Sequence, residues 1–172
     1  INTMLVISKA EAGEGEFEFK KTNLSIMIKA ACDLFAPLAE DKNIEFNQTI
    51  EEQIFIVADI KMLQRAFSNL LDNAIKYTLE NGRINVIAFK ENHGITIKIE
   101  DTGIGIAQEC LEKIFQRFYR AESSRTTAGT GLGLSLARTI VHEHKGELQV
   151  KSYPGQGSVF VMTLPYCNPG VI

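Results

Sequence analysis

The spacing of apolar residues changes from a helical period to a strand period in the middle of the chain, and this change constrains the fold more than any other feature. Apolar residues recur at positions i, i+3/4 and i+7 over residues 63–75, behind the favourable N-cap Asp59, and predict a helix that runs to Tyr77. Alternating apolar residues over 84–88 and 95–99 then predict two strands of a hairpin. A long amphipathic helix beside a hairpin favours a layer of helices packed on a sheet.

The other segments follow the same two periods. Further helices are predicted over residues 2–12, 24–38, 108–119 and 132–144, and further strands over 17–20, 44–49, 54–57, 147–152 and 158–164. Thr22-Asn23 or Ser25 caps the second helix, and Pro37 inside it is expected to kink it or end its regular part. The polar segment 122–130 has no period and is predicted to be a mobile loop. The sum is an α+β fold, a two-layer α/β sandwich with a mixed, mostly antiparallel sheet and helices on one face.

Composition places the chain among ordinary globular domains. Its 172 residues fit one domain, and 45% apolar and 23% charged residues exclude disorder. The net charge of -3 lacks the basic excess of nucleic-acid-binding proteins, and the longest apolar run, residues 54–58, is far shorter than the roughly 20 residues that span a bilayer. We therefore expect neither nucleic-acid binding nor direct membrane contact. Three separated cysteines without a CxxC pair argue against a zinc site and a disulfide framework, and indicate reduced, mostly buried thiols.

Three polar residues share one face of the predicted helix that ends at Tyr77. Asn69, Asn73 and Lys76 are spaced i, i+4 and i+7, whereas the other positions are largely apolar. A solvated polar stripe on an amphipathic helix explains this pattern as well as a binding site does. The residue types suit a metal-bound phosphate ligand, because a carboxamide oxygen is a hard ligand for Mg²⁺ and an ammonium group attracts phosphate.

A second polar segment, Asp101-Thr102-Gly103-Ile104-Gly105, directly follows the strand predicted over 95–99. Its two glycines let the backbone approach a ligand closely, and its aspartate can accept a hydrogen bond from the exocyclic amine of a base. A tight turn with a capping aspartate explains the segment equally well.

A glycine-rich segment, residues 129–134, leads straight into the helix predicted over 132–144. Backbone N–H groups that glycine exposes at a helix N-terminus form a cradle for an anion such as phosphate. The competing interpretation is a dinucleotide-binding glycine motif, which requires a strand directly before it and a βαβ unit after it. Here a polar loop precedes the segment and a hairpin follows it, so that interpretation fails.

Four segments, in this order, resemble the N, G1, F and G2 boxes of the sensor histidine kinases. They are residues 69–77, 101–105, 115–120 and 129–134, with the sequences NLLDNAIKY, DTGIG, FQRFYR and GTGLGL. The resemblance is to the catalytic ATP-binding domain of that family and covers roughly residues 17–165. It implies the Bergerat ATP-binding fold, which gyrase-type ATPases, heat-shock chaperones and mismatch-repair ATPases share.

Carried over position by position, the resemblance implies a complete Mg²⁺·ATP site. At the phosphate end it implies Asn73 as the Mg²⁺ ligand with Asn69 beside it, and a catalytic set made of Asn69, Lys76 and Arg120. Arg120 would reach toward the terminal phosphate, and Asp101 would bind the adenine amine. The other implied nucleotide-binding residues are Tyr77, Gly103, Gly105, Ile106, Tyr119, Gly129, Thr130, Gly131, Leu132 and Gly133.

One position separates kinases from hydrolases within this superfamily. The hydrolytic members carry a glutamate four residues before the metal-binding asparagine, as general base for water, and this chain has Asn69 there. Because an amide cannot take up a proton at neutral pH, the resemblance favours transfer to an acceptor that brings its own nucleophile. Two alternatives stay open, an ATP-hydrolysing Bergerat-fold ATPase and a nucleotide-gated binding module without phosphotransfer.

The acceptor expected of a histidine kinase, a phosphorylatable histidine on a dimeric helical hairpin, is missing from this chain. His93 lies in a predicted turn. His142 and His144 lie near the end of a predicted helix, where a cationic histidine is favourable, so both are expected to be structural. Residues 5–13 resemble the end of the second helix of such a hairpin.

The resemblance therefore implies a division of the chain. Residues 1–13 would be the C-terminal stub of the dimerisation and phosphoacceptor helix, 14–166 the catalytic domain with an ATP lid at about 116–130, and 167–172 a tail. The implied partners are the dimerisation and phosphoacceptor hairpin of the same parent protein and a response regulator receiver domain. The domain is expected to be cytoplasmic, and the isolated fragment to bind ATP without autophosphorylation.

Overall fold

The computed structural model describes residues 3–11, 17–91, 94–120 and 130–166. Within these ranges the helices are α1 (Thr3–Glu11), α2 (Leu24–Glu40), α3 (Ile60–Tyr77) and α4 (Gly133–Glu143), with a short 3₁₀ helix at Gln108–Cys110. The strands are β1 (Lys20–Asn23), β2 (Glu45–Ile50), β3 (Phe55–Ala58), β4 (Arg83–Glu91), β5 (Gly94–Asp101), β6 (Glu147–Tyr153) and β7 (Gly157–Pro165). Strands β2-β4-β5-β7-β6 form one sheet in this order, and β1 and β3 form a separate two-stranded ladder.

The five-stranded sheet is mixed and mostly antiparallel, as predicted. β2 pairs with β4 in parallel, whereas β4 with β5, β5 with β7, and β6 with β7 are antiparallel. The register of β5 and β7 places Asp101 opposite Ser158, so the carboxyl end of β5 meets the amino end of β7. This register brings the β6–β7 hairpin up to the segment that follows β5.

Helices α2, α3 and α4 cover one face of this sheet, and the core lies between the two layers. Along β4 the side chains of Ile84, Val86 and Ala88 are buried, whereas the residues between them are partly exposed. Phe67 and Leu71 on α3 are fully buried in the same cluster. Each large apolar side chain of this kind stabilises the fold by about 1.5–3 kcal/mol. The predicted two-layer α+β architecture is confirmed.

Two predicted elements are wrong in extent. The strand predicted over 17–20 lies instead at Lys20–Asn23, because those residues pair with β3. The helix predicted over 108–119 is limited to the 3₁₀ turn Gln108–Cys110, and turns follow it. A regular helix cannot extend to its predicted end, since Phe118 has a φ of 62° and donates its N–H to the carbonyl of Gly131 at 2.9 Å.

Helix α2 continues past Pro37 to Glu40, so this proline does not end it. Pro37 lacks the N–H that the carbonyl of Asp33 would accept, but both residues are exposed and solvent can take its place. Of the predicted caps, Asn23 is the one used, and its side chain accepts the N–H of Ile26 at 3.3 Å.

The cysteines fit the prediction of reduced thiols where the structure describes them. Cys32 is fully buried, and Cys110 is half-buried. Burial raises the pKa of the Cys32 thiol to about 12, which suppresses its reactive thiolate form. Cys167 and His93 lie outside the described residues.

A buried histidine joins the ends of two helices. His144, after α4, donates from Nδ1 to the carbonyl of Ile140 (2.7 Å), and its Nε2 accepts the backbone N–H of Asp59 (3.1 Å). Asp59 in turn caps α3 by accepting the N–H of Met62 (3.1 Å). Burial lowers the pKa of His144, so the neutral ring predominates at neutral pH. The histidine is structural, as predicted, but it acts as a buried neutral acceptor and not as a cation at the helix end.

The free energy of unfolding is expected to fall as the pH is lowered from about 7.5 to about 5.5, in part through His144. The unfolded chain binds a proton to this histidine near its ordinary pKa of 6.5, whereas the folded protein resists protonation until lower pH. A His144→Gln variant, which retains an acceptor for Asp59, should unfold in urea with a weaker dependence on pH. His142→Gln is the control because His142 is exposed. An equal loss of pH dependence in both variants would contradict the role given to His144.

Candidate functional site

One cleft lies between α3, α4 and the segment that follows β5. Its volume is about 890 Å³, within the size range of small-molecule sites. The predicted site residues that line it are Asn69, Asn73, Lys76, Tyr77, Asp101, Gly105, Ile106, Tyr119, Arg120, Thr130, Gly131, Leu132 and Gly133. Gly103 does not line the cleft but packs against Tyr77 and Asp101, which do, and Gly129 lies outside the described residues. The four sequence segments therefore meet in one place, although they lie far apart in the sequence.

Helix α3 forms one wall of the cleft with its polar stripe. Asn69, Asn73 and Lys76 line the cleft, whereas Phe67 and Leu71 of the same helix are buried in the core. The Nδ2 atom of Asn69 is buried and has no hydrogen-bond partner among the described residues. Leaving a buried donor unpaired is unfavourable by roughly 1–3 kcal/mol, so this atom indicates a ligand group that accepts its hydrogen bond. Of the two interpretations of the stripe, the cleft supports a binding site.

Lys76 is engaged by a neighbour on its own helix. Its ammonium nitrogen lies 2.6 Å from Oδ2 of Asp72, one turn earlier. Both side chains are partly exposed, 31% for Lys76 and 49% for Asp72, so the ion pair contributes little to stability. An anionic ligand in the cleft can therefore compete for the ammonium group.

Asp101 is a buried carboxylate in this cleft. Only 9% of the residue is exposed, and Oδ1 accepts the N–H of Gly103 at 2.8 Å. Burial raises the pKa of this carboxyl, and weaker opposing effects come from hydrogen bonds with the backbone of Gly103 and Ser158. Because a carboxylate has about four acceptor sites, Asp101 can still take a hydrogen bond from an N–H group of a ligand.

Two glycines let the segment after β5 pass close to its neighbours. A Cβ atom on Gly103 would overlap the carbonyl oxygen of Tyr77, and one on Gly105, whose φ is 71°, would overlap the carbonyl oxygen of Tyr153. Only glycine fits at these two positions. Gly103 acts on the cleft through its contacts with Tyr77 and Asp101, whereas Gly105 lines the cleft itself.

Helix α4 presents an uncapped N-terminus to the cleft. Leu132 stands at the N-cap position without a capping side chain, and Gly133 begins the helix. The position of a Cβ on Gly133 is 3.5 Å from Oδ1 of Asn69, so the start of α4 lies against the polar stripe of α3. The first N–H groups of a helix lack intrahelical partners and attract anions.

The segment that ends at Arg120 is fixed to the start of α4. A Cβ on Gly131, whose φ is 71°, would lie 2.8 Å from the backbone of Phe118, which donates its N–H to the Gly131 carbonyl. Tyr119 donates from its hydroxyl to Sγ of Cys110 at 3.1 Å, and Arg120 lines the cleft. Most of the predicted lid, at about 116–130, lies outside the described residues, so it stays a prediction.

Sequence reasoning missed several polar residues of the cleft, namely Thr3, Arg65, Asp72, Glu109, Cys110 and Ser158. Arg65 could have been found from the sequence, since it lies four residues before Asn69 and therefore on the same face of the helix. In the structure it donates to the hydroxyl of Thr3 at 2.7 Å. Ser158 gives none. Its place opposite Asp101 depends on the register of two strands, which periodicity does not specify.

The part of the chain that the structure describes lacks a cluster of metal-binding side chains and a membrane-spanning helix. It contains no group of three or more histidine, cysteine, aspartate or glutamate side chains that could hold a metal ion. It also contains no helix that is both long and apolar enough to cross a membrane.

The sandwich and its cleft define a nucleotide-binding domain of the Bergerat type, and comparison with known proteins agrees. The profile of the histidine kinase-, DNA gyrase B- and HSP90-like ATPases matches residues 58–168. The catalytic domain of the histidine kinase ThkA has a TM-score of 0.77 and 32% identity to this chain, over 87% of this chain and 96% of that one. The chain therefore belongs to this ATPase family, among the histidine kinase catalytic domains.

The sensor histidine kinase RppB of Synechocystis sp. is a longer relative. It is 34% identical over 175 residues, which cover all of this chain and 38% of RppB, so the chain spans about two fifths of that relative. A crystal structure of histidine kinase ThkA in complex with the response regulator protein TrrA matches at 27% identity with a TM-score of 0.75. That match covers 95% of this chain and 47% of the ThkA chain.

Proposed function

We propose that this chain is the ATP-binding kinase domain of a two-component sensor histidine kinase. It transfers the γ-phosphoryl group of ATP to a histidine on a separate helical domain. The observation that carries the proposal is one cleft that combines the buried carboxylate of Asp101, the polar stripe of α3 and the uncapped N-terminus of α4. A buried acceptor suits the amine of a base, and a helix N-terminus beside an ammonium group suits phosphates.

Asp101 holds the adenine base in this proposal. Its carboxylate accepts the backbone N–H of Gly103 with Oδ1 and a hydrogen bond from the backbone of Ser158, and it has acceptor sites left for the exocyclic amine. Tyr77, Ile106 and Tyr119 line the cleft with aromatic and apolar surface that can pack against the ring. Guanine has a carbonyl oxygen in the place of that amine, so the same carboxylate selects against it.

Lys76, Arg120 and the start of α4 hold the phosphates. All of them line the cleft, and the backbone of Gly131, Leu132 and Gly133 supplies the α4 side. Two cations and free N–H groups neutralise the charge that spreads over the transferred group. The unpaired Nδ2 of Asn69 gains an acceptor when a phosphate oxygen is present.

Asn73, with Asn69 beside it, is the residue that would hold Mg²⁺. Carboxamide oxygens are hard ligands, and the described residues offer no denser cluster of acidic or imidazole ligands. Mg²⁺ commonly binds through one or two protein ligands and the phosphates of its nucleotide, which fits this sparse set. When bound, it neutralises charge on the β- and γ-phosphates.

Asn69 favours transfer to histidine over hydrolysis. It stands where the hydrolases that the chain resembles carry a glutamate, and its amide cannot take a proton from water. An acceptor histidine brings its own nucleophilic ring nitrogen and does not depend on such a base. The contribution of this chain is therefore orientation of ATP and neutralisation of charge.

Two further partners belong to the proposal. The first is the dimerisation and phosphoacceptor hairpin of the parent protein, whose C-terminal end residues 1–13 supply. Of these residues the structure describes helix α1 (Thr3–Glu11), in which Ile7 is fully buried. The receiver domain of a response regulator is the second partner, by analogy with ThkA and TrrA. The domain acts on the cytoplasmic side.

The proposal is tested by mixing the chain with γ-labelled ATP and a dimeric helical hairpin that carries the acceptor histidine. Acid-labile, base-stable label should appear on the hairpin, while the chain alone binds ATP with little label or turnover. An Asn73→Asp variant should lose transfer, since it places a negative charge beside the phosphates. Rapid phosphate release by the chain alone would favour the ATPase alternative. Binding without label on either chain would favour the nucleotide-gated module.

A further inference from the structure

The C-terminal turn of α3 carries Lys76 and Tyr77 into the cleft, and no glycine ends this helix. The last carbonyl groups of a helix have no intrahelical partners and need other donors. Here the N–H of Thr78 serves the carbonyl of Ala74 (3.0 Å), and the N–H of Ile104 serves that of Tyr77 (3.1 Å). The carbonyls that remain are those of Ile75, Lys76 and Thr78.

The ammonium group of Lys42 serves all three of these carbonyls. Its Nζ lies 2.6 Å from the oxygen of Ile75, 3.1 Å from that of Thr78 and 3.4 Å from that of Lys76. A cation at this position also faces the negative end of the α3 dipole. Lys42 belongs to the turn between α2 and β2 and does not line the cleft.

That turn is itself fixed to the segment after α3. The carbonyl of Asn43 accepts the N–H of Asn81 at 2.9 Å, and Nδ2 of Asn43 donates to the carboxylate of Glu80 at 2.9 Å. Although the Lys42 side chain is largely exposed, its backbone is therefore held beside the end of α3. Because the backbone of Lys42 is held in place, its ammonium group can reach the end of α3 in few orientations, which favours a single capping geometry.

We infer that Lys42 is a positioning residue for the nucleotide site, an inference that rests on the function proposed above. It holds the last turn of α3 so that Lys76 and Tyr77 keep their places in the cleft. The bond between Ile104 and the Tyr77 carbonyl extends this effect to the segment that follows Asp101. Without the ammonium group, the carbonyls of Ile75, Lys76 and Thr78 can be hydrogen-bonded only by water, and the last turn of α3 becomes less ordered.

The test is Lys42→Met, which keeps the length of the side chain and removes its charge. We expect the affinity for ADP to fall about fivefold, the effect of one cation at a helix C-terminus, measured by isothermal titration calorimetry well below the melting temperature. Amide hydrogen exchange at Ile104 should quicken, whereas Ile97 within β5 should keep its protection. Lys42→Arg retains the cation and should restore most of both properties.

Lys29→Met is the matched control, because Lys29 lies on α2, pairs with Glu52 and does not line the cleft. Its ADP affinity and Ile104 exchange should equal those of the wild type. Unchanged ADP affinity in Lys42→Met, or an equal loss in Lys29→Met, would overturn the inference. If the wild type does not bind adenine nucleotides, the proposed function is wrong. Hydrogen exchange tests the role of Lys42 independently of binding, and an unchanged exchange rate at Ile104 in Lys42→Met would contradict that role.

Discussion

Replacing Asp101 by alanine is expected to lower the affinity for ATP and ADP about 100-fold or more. Asp101 is the buried acceptor that receives the exocyclic amine of adenine in the proposed site. Alanine removes a charge-assisted hydrogen bond and leaves the amine of the base unpaired in a desolvated place, a loss of about 3 kcal/mol. Isothermal titration calorimetry with ADP measures the change directly.

Asp101→Asn is the companion variant, because it keeps the shape and removes the charge. We expect a loss of about tenfold and a weaker preference for adenine over guanine nucleotides, since an amide nitrogen can donate to the guanine carbonyl. Burial raises the pKa of Asp101, so its charge opposes folding at neutral pH, and Asp101→Asn, which keeps an acceptor oxygen for the Gly103 N–H, should unfold near the wild-type temperature. Asp101→Ala leaves that N–H unpaired and should unfold at a lower temperature, so its ADP binding is measured well below its own melting temperature. Undiminished ADP binding by a folded Asp101→Ala variant would refute the assignment of the base.

Helix α3 shows which features the sequence predicts well. Its two ends, the cap by Asp59 and the common face of Asn69, Asn73 and Lys76 all agree with the structure. Each of these depends on residues within a few helical turns, and a 3.6-residue period contains that information. The spacing of residues within α3 does not predict that this helix and Asp101 line the same cleft. It indicates neither the distance between α3 and Asp101 nor the burial of the Asp101 carboxylate. The resemblance of four ordered segments to a known family supplied that expectation.

The wrong predictions lie where a distant partner decides the local structure. β1 begins at Lys20 because β3 offers its backbone there, and the two strands are far apart in the sequence. Residues 108–119 contain enough helix formers for a helix, yet Phe118 is drawn into a positive φ beside Gly131. The parallel pairing of β2 with β4, which the sequence did not assign, also depends on residues that are distant in the sequence. Tertiary contacts of this kind override local preference, since each supplies hydrogen bonds that the isolated segment lacks.

Two positions in the turn of the β6–β7 hairpin, Gly155 and Gly157, require glycine for different reasons, which the sequence alone does not reveal. Gly155 and Gly157 both have a positive φ, 75° and 91°. No described atom lies within 4 Å of a Cβ built on Gly155, whereas one built on Gly157 would overlap the carbonyl oxygen of Asp101. Gly157 also precedes Ser158, the residue that pairs with Asp101 across the sheet. The turn therefore needs glycine twice, for conformation at one position and for conformation and space at the other.

Gly157→Ala is accordingly expected to lower the free energy of unfolding by about 3 kcal/mol or more, since strain from the positive φ adds to the overlap with backbone atoms. Gly155→Ala carries only the strain and should lower it by about 1 kcal/mol. Urea denaturation of both variants measures the difference. The overlap at Gly157 can be relieved only by moving β7 away from Asp101, so ADP affinity should fall in this variant and stay near the wild-type value in Gly155→Ala. Equal destabilisation of the two would show that the backbone conformation alone, and not the close approach to Asp101, requires glycine in this turn.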